Sequence, residues 1–466
     1  MKLKLLFIWS TLLIKSLYAD GTLDPTFGDG TGYATFPAAH YARGIAIQDN
    51  GYIVVVGVGQ DSTFQIVRYT TDGDLDLTFN ETGIGQTGPL GVPFSVIEQE
   101  DGLLVMVGQD ASGSNFQLAR YTVYGLLDTT FGTNGVVVGP EGFAVDSMLQ
   151  LNGQIVVTGN DSSGHFLVVR YNSDGSVDTS FYIGPYGFSE SIKIQFDGKV
   201  ITAGTNATGN MQVVRYNTNG TLDVTFGSNG IATGPSGAAT SLVIQPNGQY
   251  VIGGFDLTTN IDMLLVRFNA DGSYDTSFGV GGIVVGPAFF QANAIALQSD
   301  GKIVVAGEGT SDIRLARYNS NGTLDTSFGT GGFVIGTIGN VYGLALQENG
   351  YIVTVGLDLI SDDFEVARYT GSPPLTSASF TSPMTVPFGP VTIAGTAQNP
   401  SYVYVYVDES LIDSVATDIG GTNTWTFSTQ IPSIGLYTVR ALTLYKNGNT
   451  ASAATNQLRI YGLSFV

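Results

Sequence analysis

Asn172, Asp174 and Asp178 place three oxygen-bearing side chains within seven residues, and similar Asn/Asp-rich runs return along the chain. Clustered side-chain oxygens are the ligands a calcium ion takes, but these runs are shorter than the roughly twelve-residue calcium loop and lack its closing glutamate. Turn formation and pairing with arginine account for them better. The two histidines, His40 and His165, are far apart with no matching partners, which gives little material for a metal site or a catalytic triad. Without cysteine, disulfides, thiolate metal sites and cysteine nucleophiles are excluded. Asp362-Asp363 and the stretch from Glu98 to Asp101 read as solvated loops. The sequence therefore nominates no catalytic, cofactor-binding or metal-ligating residue. No cofactor is expected, with calcium as the alternative.

The elements that would position any site follow from a repeat. Arg68-Tyr69, Arg120-Tyr121, Arg170-Tyr171, Arg215-Tyr216, Arg267-Phe268, Arg317-Tyr318 and Arg368-Tyr369 recur at intervals of 52, 50, 45, 52, 50 and 51 residues. A period of this kind means an array of one supersecondary unit. Each unit carries Leu-Asp-x-Thr/Ser-Phe, then Gln-x-Asp/Asn-Gly followed by a Val/Ile-rich run, then the apolar run that ends in Arg-Tyr. Asn-Gly or Asp-Gly between apolar stretches is a strong hairpin signal, predicting a type I′ turn with positive φ at both central residues. Arg170 and Asp178 are equidistant from Asp174, so they should face each other across a second hairpin. The same Arg-to-Asp spacing of eight holds at 68/76, 120/128, 215/223, 267/275 and 317/325. Two hairpins per unit give about four strands, and the units from 20 to 371 fit a seven-bladed β-propeller. Arg368 has no Asp eight residues later and Asp24 no Arg eight residues earlier. Ring closure should therefore bring Asp24 beside Arg368.

The segment Leu315-Ala316-Arg317-Tyr318-Asn319-Ser320-Asn321-Gly322-Thr323-Leu324-Asp325-Thr326-Ser327-Phe328-Gly329 resembles the delta-60 repeat family of β-propellers. Asp300-Gly301-Lys302-Ile303-Val304-Val305-Ala306-Gly307 carries the same resemblance. The first units are looser, with Tyr124 in place of the turn Asp and Asn80 in place of Gly, and the unit after Asp178 is shortened. The family implies a propeller and frequent occurrence in secreted bacterial proteins, and it implies no single activity.

Net charge is −21, with 39 acidic against 18 basic residues, so nucleic acid and anionic lipid are not expected partners. Only 12% of residues are charged while 43% are apolar, which argues for a packed chain and against disorder. Residues 1–19 read as a signal peptide, from Lys2 and Lys4 through the apolar run Leu5 to Ile14 to Ala19. No later segment is long and apolar enough to span a bilayer.

Residues 372–382, with Ser372-Pro373-Pro374, read as a linker. Residues 383–466 carry expected strands near 385–397, 402–407, 411–418, 424–430, 436–445 and 456–463, and Trp425-Thr426-Phe427 with Gly435-Leu436-Tyr437-Thr438-Val439 resembles bacterial Ig-like modules. Tyr402, Tyr404 and Tyr406 alternate with valines, an aromatic face suited to the sandwich core or to a sugar or protein partner. The fold class expected is all-β, a propeller plus an Ig-like β-sandwich. The function expected is an exported, monomeric, noncatalytic binding scaffold, secreted, periplasmic or on the cell surface, for an unknown protein or carbohydrate ligand. The alternatives are a propeller enzyme acting on extracellular polysaccharide and a calcium-dependent adhesin.

Overall fold

A computed structural model describes residues 20–371, except 37–38, 196, 246, 258–261, 288–289, 299, 310–311 and 348. Beyond residue 371 it describes only the backbone of strands between Ala378 and Tyr461. The chain is all-β. The signal-peptide reading of residues 1–19 lies outside the described residues, as do most of the 372–382 linker and the side chains of Tyr402, Tyr404, Tyr406 and Trp425.

One repeat shows how the sequence makes a sheet. Gln291–Leu297, Ile303–Glu308, Ile313–Tyr318 and Phe333–Ile335 pair antiparallel in that order. Gln48-Asp49-Asn50-Gly51 shows the turn after the first strand of a repeat. Gly51 N donates to Gln48 O at 2.7 Å, and Gly51 has φ of 83° while Asn50 is not in the left-handed region. The turn is therefore the type I kind closed by a left-handed glycine, and not the type I′ turn expected from the sequence. The preference for Asn or Asp has another cause: Asn50 Oδ1 accepts from Tyr52 N at 2.9 Å, fixing the turn from its side chain.

Central strands such as Ile53–Gly59 and Phe64–Tyr69 are buried at every position. Alternation disappears because each sheet is covered on both faces by its neighbours. One such layer joins Val251 and Leu265 of one sheet to Ile295, Val305 and Ala316 of the next. In the shortened unit, Val177–Ile194 runs as one long strand through two successive sheets.

The first strand of every sheet lies innermost. Ala39–Ile47 packs against Gly91–Glu98, which packs against Val136–Leu149, then Val177–Ile194, Ala238–Ile244, Gln291–Leu297 and Gly339–Leu346. The last returns to Ala39–Ile47, so the inner strands form a closed cycle. The outer edge closes as well. Tyr33–Phe36 pairs with Asp363–Tyr369, so the start of the chain completes its last sheet. Asp24 N donates to Arg368 O at 2.9 Å and Arg368 Nε to Asp24 Oδ2 at 2.8 Å, as the unmatched ends of the repeat require.

The repeat motif is a single hydrogen-bonded unit built around its arginine. In one repeat Arg317 Nε donates to Asp325 Oδ2 at 2.7 Å and Nη1 to Gln298 Oε1 at 3.4 Å, while the guanidinium lies 4.6 Å from the Phe328 ring. Ser327 donates its hydroxyl to the other carboxylate oxygen of Asp325. The arginines also tie each sheet to the next, as when Arg68 Nη1 reaches Val123 O and Arg215 Nη1 reaches Ala270 O. Arg368 continues the series to Thr71 O in the first sheet.

Every inner strand carries a β-bulge, and the next strand has a glycine opposite it. A Cβ on Gly307 would lie 1.7 Å from Gln291 O, and one on Gly356 1.8 Å from Asn340 O. Gly307→Ala should therefore force the bulge to shift and destabilise the protein by about 1–3 kcal/mol. Thermal unfolding checks this, and an unchanged midpoint would show that the bulge does not need the glycine.

Between residues 378 and 461 the strands form two sheets. One orders Ala378–Phe380, Pro390–Gln398 and Thr422–Gln430; the other orders Thr385–Pro387, Thr450–Tyr461, Gly435–Leu444, Tyr402–Val407 and Ser410–Ala416. The stretch expected as one strand at 385–397 is two strands belonging to different sheets, separated before Pro390.

Candidate functional site on the axis

The bulged residues are Arg43, Phe94, Val145, Glu190, Thr240, Asn293 and Tyr342, each at a register shift in its inner strand. A bulge re-aims a side chain. None of these residues is buried, although the residue before each one is. Each stands five positions before its repeat glutamine: Gln48, Gln99, Gln150, Gln195, Gln245, Gln298 and Gln347. The surrounding motif repeats, whereas this column holds a different residue type in every unit.

Hydrogen bonds between adjacent inner strands hold the ring. Ser95 Oγ meets Ser147 Oγ at 2.9 Å, Thr240 Oγ1 donates to Ala292 O at 2.7 Å, and Asn293 Nδ2 donates to Val341 O at 2.8 Å. Arg43 is held by aromatic faces. Its guanidinium carbon lies 4.9 Å from the Tyr41 ring centroid, 5.0 Å from Phe94 and 5.3 Å from Tyr342. Phe94 packs in turn on Phe143 at 5.0 Å.

Two carboxylates complete the ring. Asp146 is saturated: it accepts from Ser95 Oγ at 3.2 Å, from Ser191 Oγ at 3.2 Å and from the backbone amides of Ser147 and Ile192 at 2.8 and 3.0 Å. Glu190 has no hydrogen bond or ion pair among the described residues, and its surface is open to solvent. Its carboxyl is pushed up to about 7 by the loss of bulk water around it, opposed by Arg43 and reinforced by Asp146.

Of the residues singled out for calcium, Asn172 and Asp178 meet at Gln154 Nε2, while Asp174 bonds within its own turn. Asn172 Oδ1 accepts from Gln154 Nε2, Asp174 Oδ1 from Ser176, and Asp178 Oδ2 from Arg170 Nε and Gln154 Nε2. His165 stacks on Tyr186 with ring centroids 3.9 Å apart and contacts Asp161 through Nδ1 at 3.1 Å, away from the ring. The His40 side chain lies outside the described residues. Glu98 is not in a solvated loop: it ends an inner strand and accepts from Gln48 Nε2 at 2.7 Å, and burial raises its carboxyl above the usual range. Asp363 opens the strand Asp363–Tyr369, while Asp362 stays in the turn before it with φ of 61°.

The family profile described as "Domain of unknown function (DUF5122) beta-propeller" matches residues 48–79, 150–181, 195–226, 245–278 and 298–328. The fold is a β-propeller. All five matched segments open on a repeat glutamine, and all leave out the bulged residues. The matched segments thus hold the structural unit around the arginine, and the axial column lies outside them. Among solved structures, the BP39L lectin from Burkholderia pseudomallei is 14% identical and superposes with a TM-score of 0.51, over 72% of this chain and 97% of that one. Virginiamycin B lyase from Staphylococcus aureus, a catalytically inactive variant with quinupristin, is 12% identical with a TM-score of 0.48, over 72% of this chain and 98% of that one. At such identities the likeness is one of fold. No curated protein matches the sequence.

Proposed function

We propose that this protein is an exported, noncatalytic binding scaffold, a seven-bladed propeller followed by an Ig-like module over residues 383–466, which takes its ligand at the axial ring. The observation that carries this reading is the column of bulged residues, chemically different in every unit of an otherwise repeated frame. Rigid repeated sheets that present one variable, solvent-facing position each are suited to recognition. The cycle of inner strands and the Asp24–Arg368 closure support the count of seven blades. The apolar run behind Lys2 and Lys4 supports export, and the two short-stranded sheets after residue 378 support the Ig-like module.

An enzyme acting on extracellular polysaccharide is the second reading, favoured by the raised Glu190 carboxyl, which is the kind of group that general acid catalysis uses. Asp146 argues against it, because each of its oxygens already accepts from protein donors, which leaves Glu190 as the one carboxylate without a donor among the described residues of the ring. The test is a glycan array with residues 20–466, run with calcium and with chelator. Saturable binding, insensitive to chelator and without turnover, is the expected result. Turnover of the bound glycan would overturn the noncatalytic reading, and loss of binding in chelator would make the protein a calcium-dependent adhesin.

A further inference from the structure

Among the described residues, every lysine and arginine except Arg43 has a carboxylate within ion-pair distance. The repeat arginines have their motif aspartates or Asp24, Lys193 has Asp146, Lys199 and Lys302 have paired aspartates, and Arg314 has Asp312. In a chain with 39 acidic residues, an arginine without one is a departure that needs a reason. Arg43 is also fixed in place. Tyr41, Phe94 and Tyr342 surround its guanidinium, and its Nε is shut off from water with no acceptor. Its two Nη groups donate to no atom of the described residues.

Glu190 is the complementary departure, a carboxylate with no donor in the same ring. Arg43 and Glu190 interact through space but do not form an ion pair. Both stand at the bulge of an inner strand, so the cycle of inner strands places them around one axis together with Phe94, Asn293 and Tyr342. A planar guanidinium with free Nη groups recognises a carboxylate in bidentate fashion. A lone carboxylate recognises hydrogen-bond donors.

We infer that the axial ring binds a small organic carboxylate that also carries hydrogen-bond donors, its carboxylate on Arg43 and its hydroxyl or amine groups on Glu190. This rests on the binding reading above and names the ligand chemistry for it. Two sources share that chemistry, an acidic saccharide and a free amino acid. Phe94 and Tyr342 give either one an apolar face to lie against.

The test is isothermal titration of residues 20–466 with D-glucuronate, D-glucose and L-leucine, repeated for Arg43→Gln and Glu190→Gln. Binding of glucuronate or leucine, with glucose silent, is expected, and which of the two binds identifies the source. Arg43→Gln should weaken that binding about tenfold or more, because it removes a charge-assisted pair. Glu190→Gln should weaken it as well, and since Glu190 makes no hydrogen bond or ion pair among the described residues, this variant should fold as the parent does even if Arg43→Gln does not. Failure of both carboxylates to bind, or equal affinity in Glu190→Gln and parent, overturns the inference. Glucose binding that neither variant changes would overturn the carboxylate assignment and leave the binding function standing.

Discussion

Arg368→Ala should destabilise the protein by about 3–5 kcal/mol, the cost of leaving one member of a buried ion pair without its partner. Arg368 and Asp24 are each 2% exposed, and Arg368 Nη2 lies 2.7 Å from Asp24 Oδ2. The guanidinium also rests between Phe27 at 4.7 Å and Tyr351 at 4.5 Å. Its loss strips several contacts at once from the point where residues 20–36 join the last sheet. Arg170→Ala provides the comparison. That pair has the same sequence spacing, but its side chains are 17% and 21% exposed, so water can replace the lost partner. Chemical denaturation followed by circular dichroism should show a clearly larger loss for Arg368→Ala. Equal losses would mean that the closure is held by strand pairing alone. Replacing Asp24 by leucine in the Arg368→Ala background should recover part of the loss, since no buried charge then remains unpaired.

Glu365→Gln should stabilise the protein above neutral pH by roughly 3 kcal/mol. Glu365 is 2% exposed, and its carboxyl is pushed up to about 7, chiefly by burial, against the hydrogen bond donated by Thr337 and with Asp358 adding repulsion. Below the ordinary glutamate range both folded and unfolded states hold the proton, and the charge costs nothing. As pH rises from about 4.5 toward 7, the unfolded chain releases its proton while the folded one retains it, so stability falls. Above 7 the folded state must carry the buried charge. Glutamine avoids that penalty and keeps an oxygen for Thr337. It is also what three of the six equivalent strands carry, as Gln65, Gln117 and Gln212, all buried. Thermal unfolding at pH 5 and pH 8 should show the variant gaining only at the higher pH. A gain of equal size at both would assign the effect to packing and not to charge.

Much of the fold was legible because its main contacts are local and repeated. Arg170 and Asp178 could be placed opposite each other from their distance to Asp174, and the register agrees. Even the closure was legible, since a repeat with one unmatched Asp and one unmatched Arg has a single way to satisfy both. The turn type was misjudged because Asn50 acts through its side chain, while only Gly51 needs positive φ. Glu98 was misplaced because its Gln48 partner sits in the preceding unit.

The axial ring was not recognised from sequence, although one signal was present, a variable residue five positions before every repeat glutamine. Its meaning depends on two nonlocal facts. A bulge opposite Gly307 and its counterparts turns that position out of the sheet, and the cycle of inner strands gathers residues about fifty apart in sequence into one ring. The sequence by itself determined the repeating unit, because Gln, Arg, Asp and Phe satisfy one another within a single unit and its neighbour. Only the tertiary structure decided that Arg43 and Glu190 stand on one ring, because nothing between residues 43 and 190 along the chain encodes their distance. Closure of the ring does so by placing the first and fourth inner strands around the same axis.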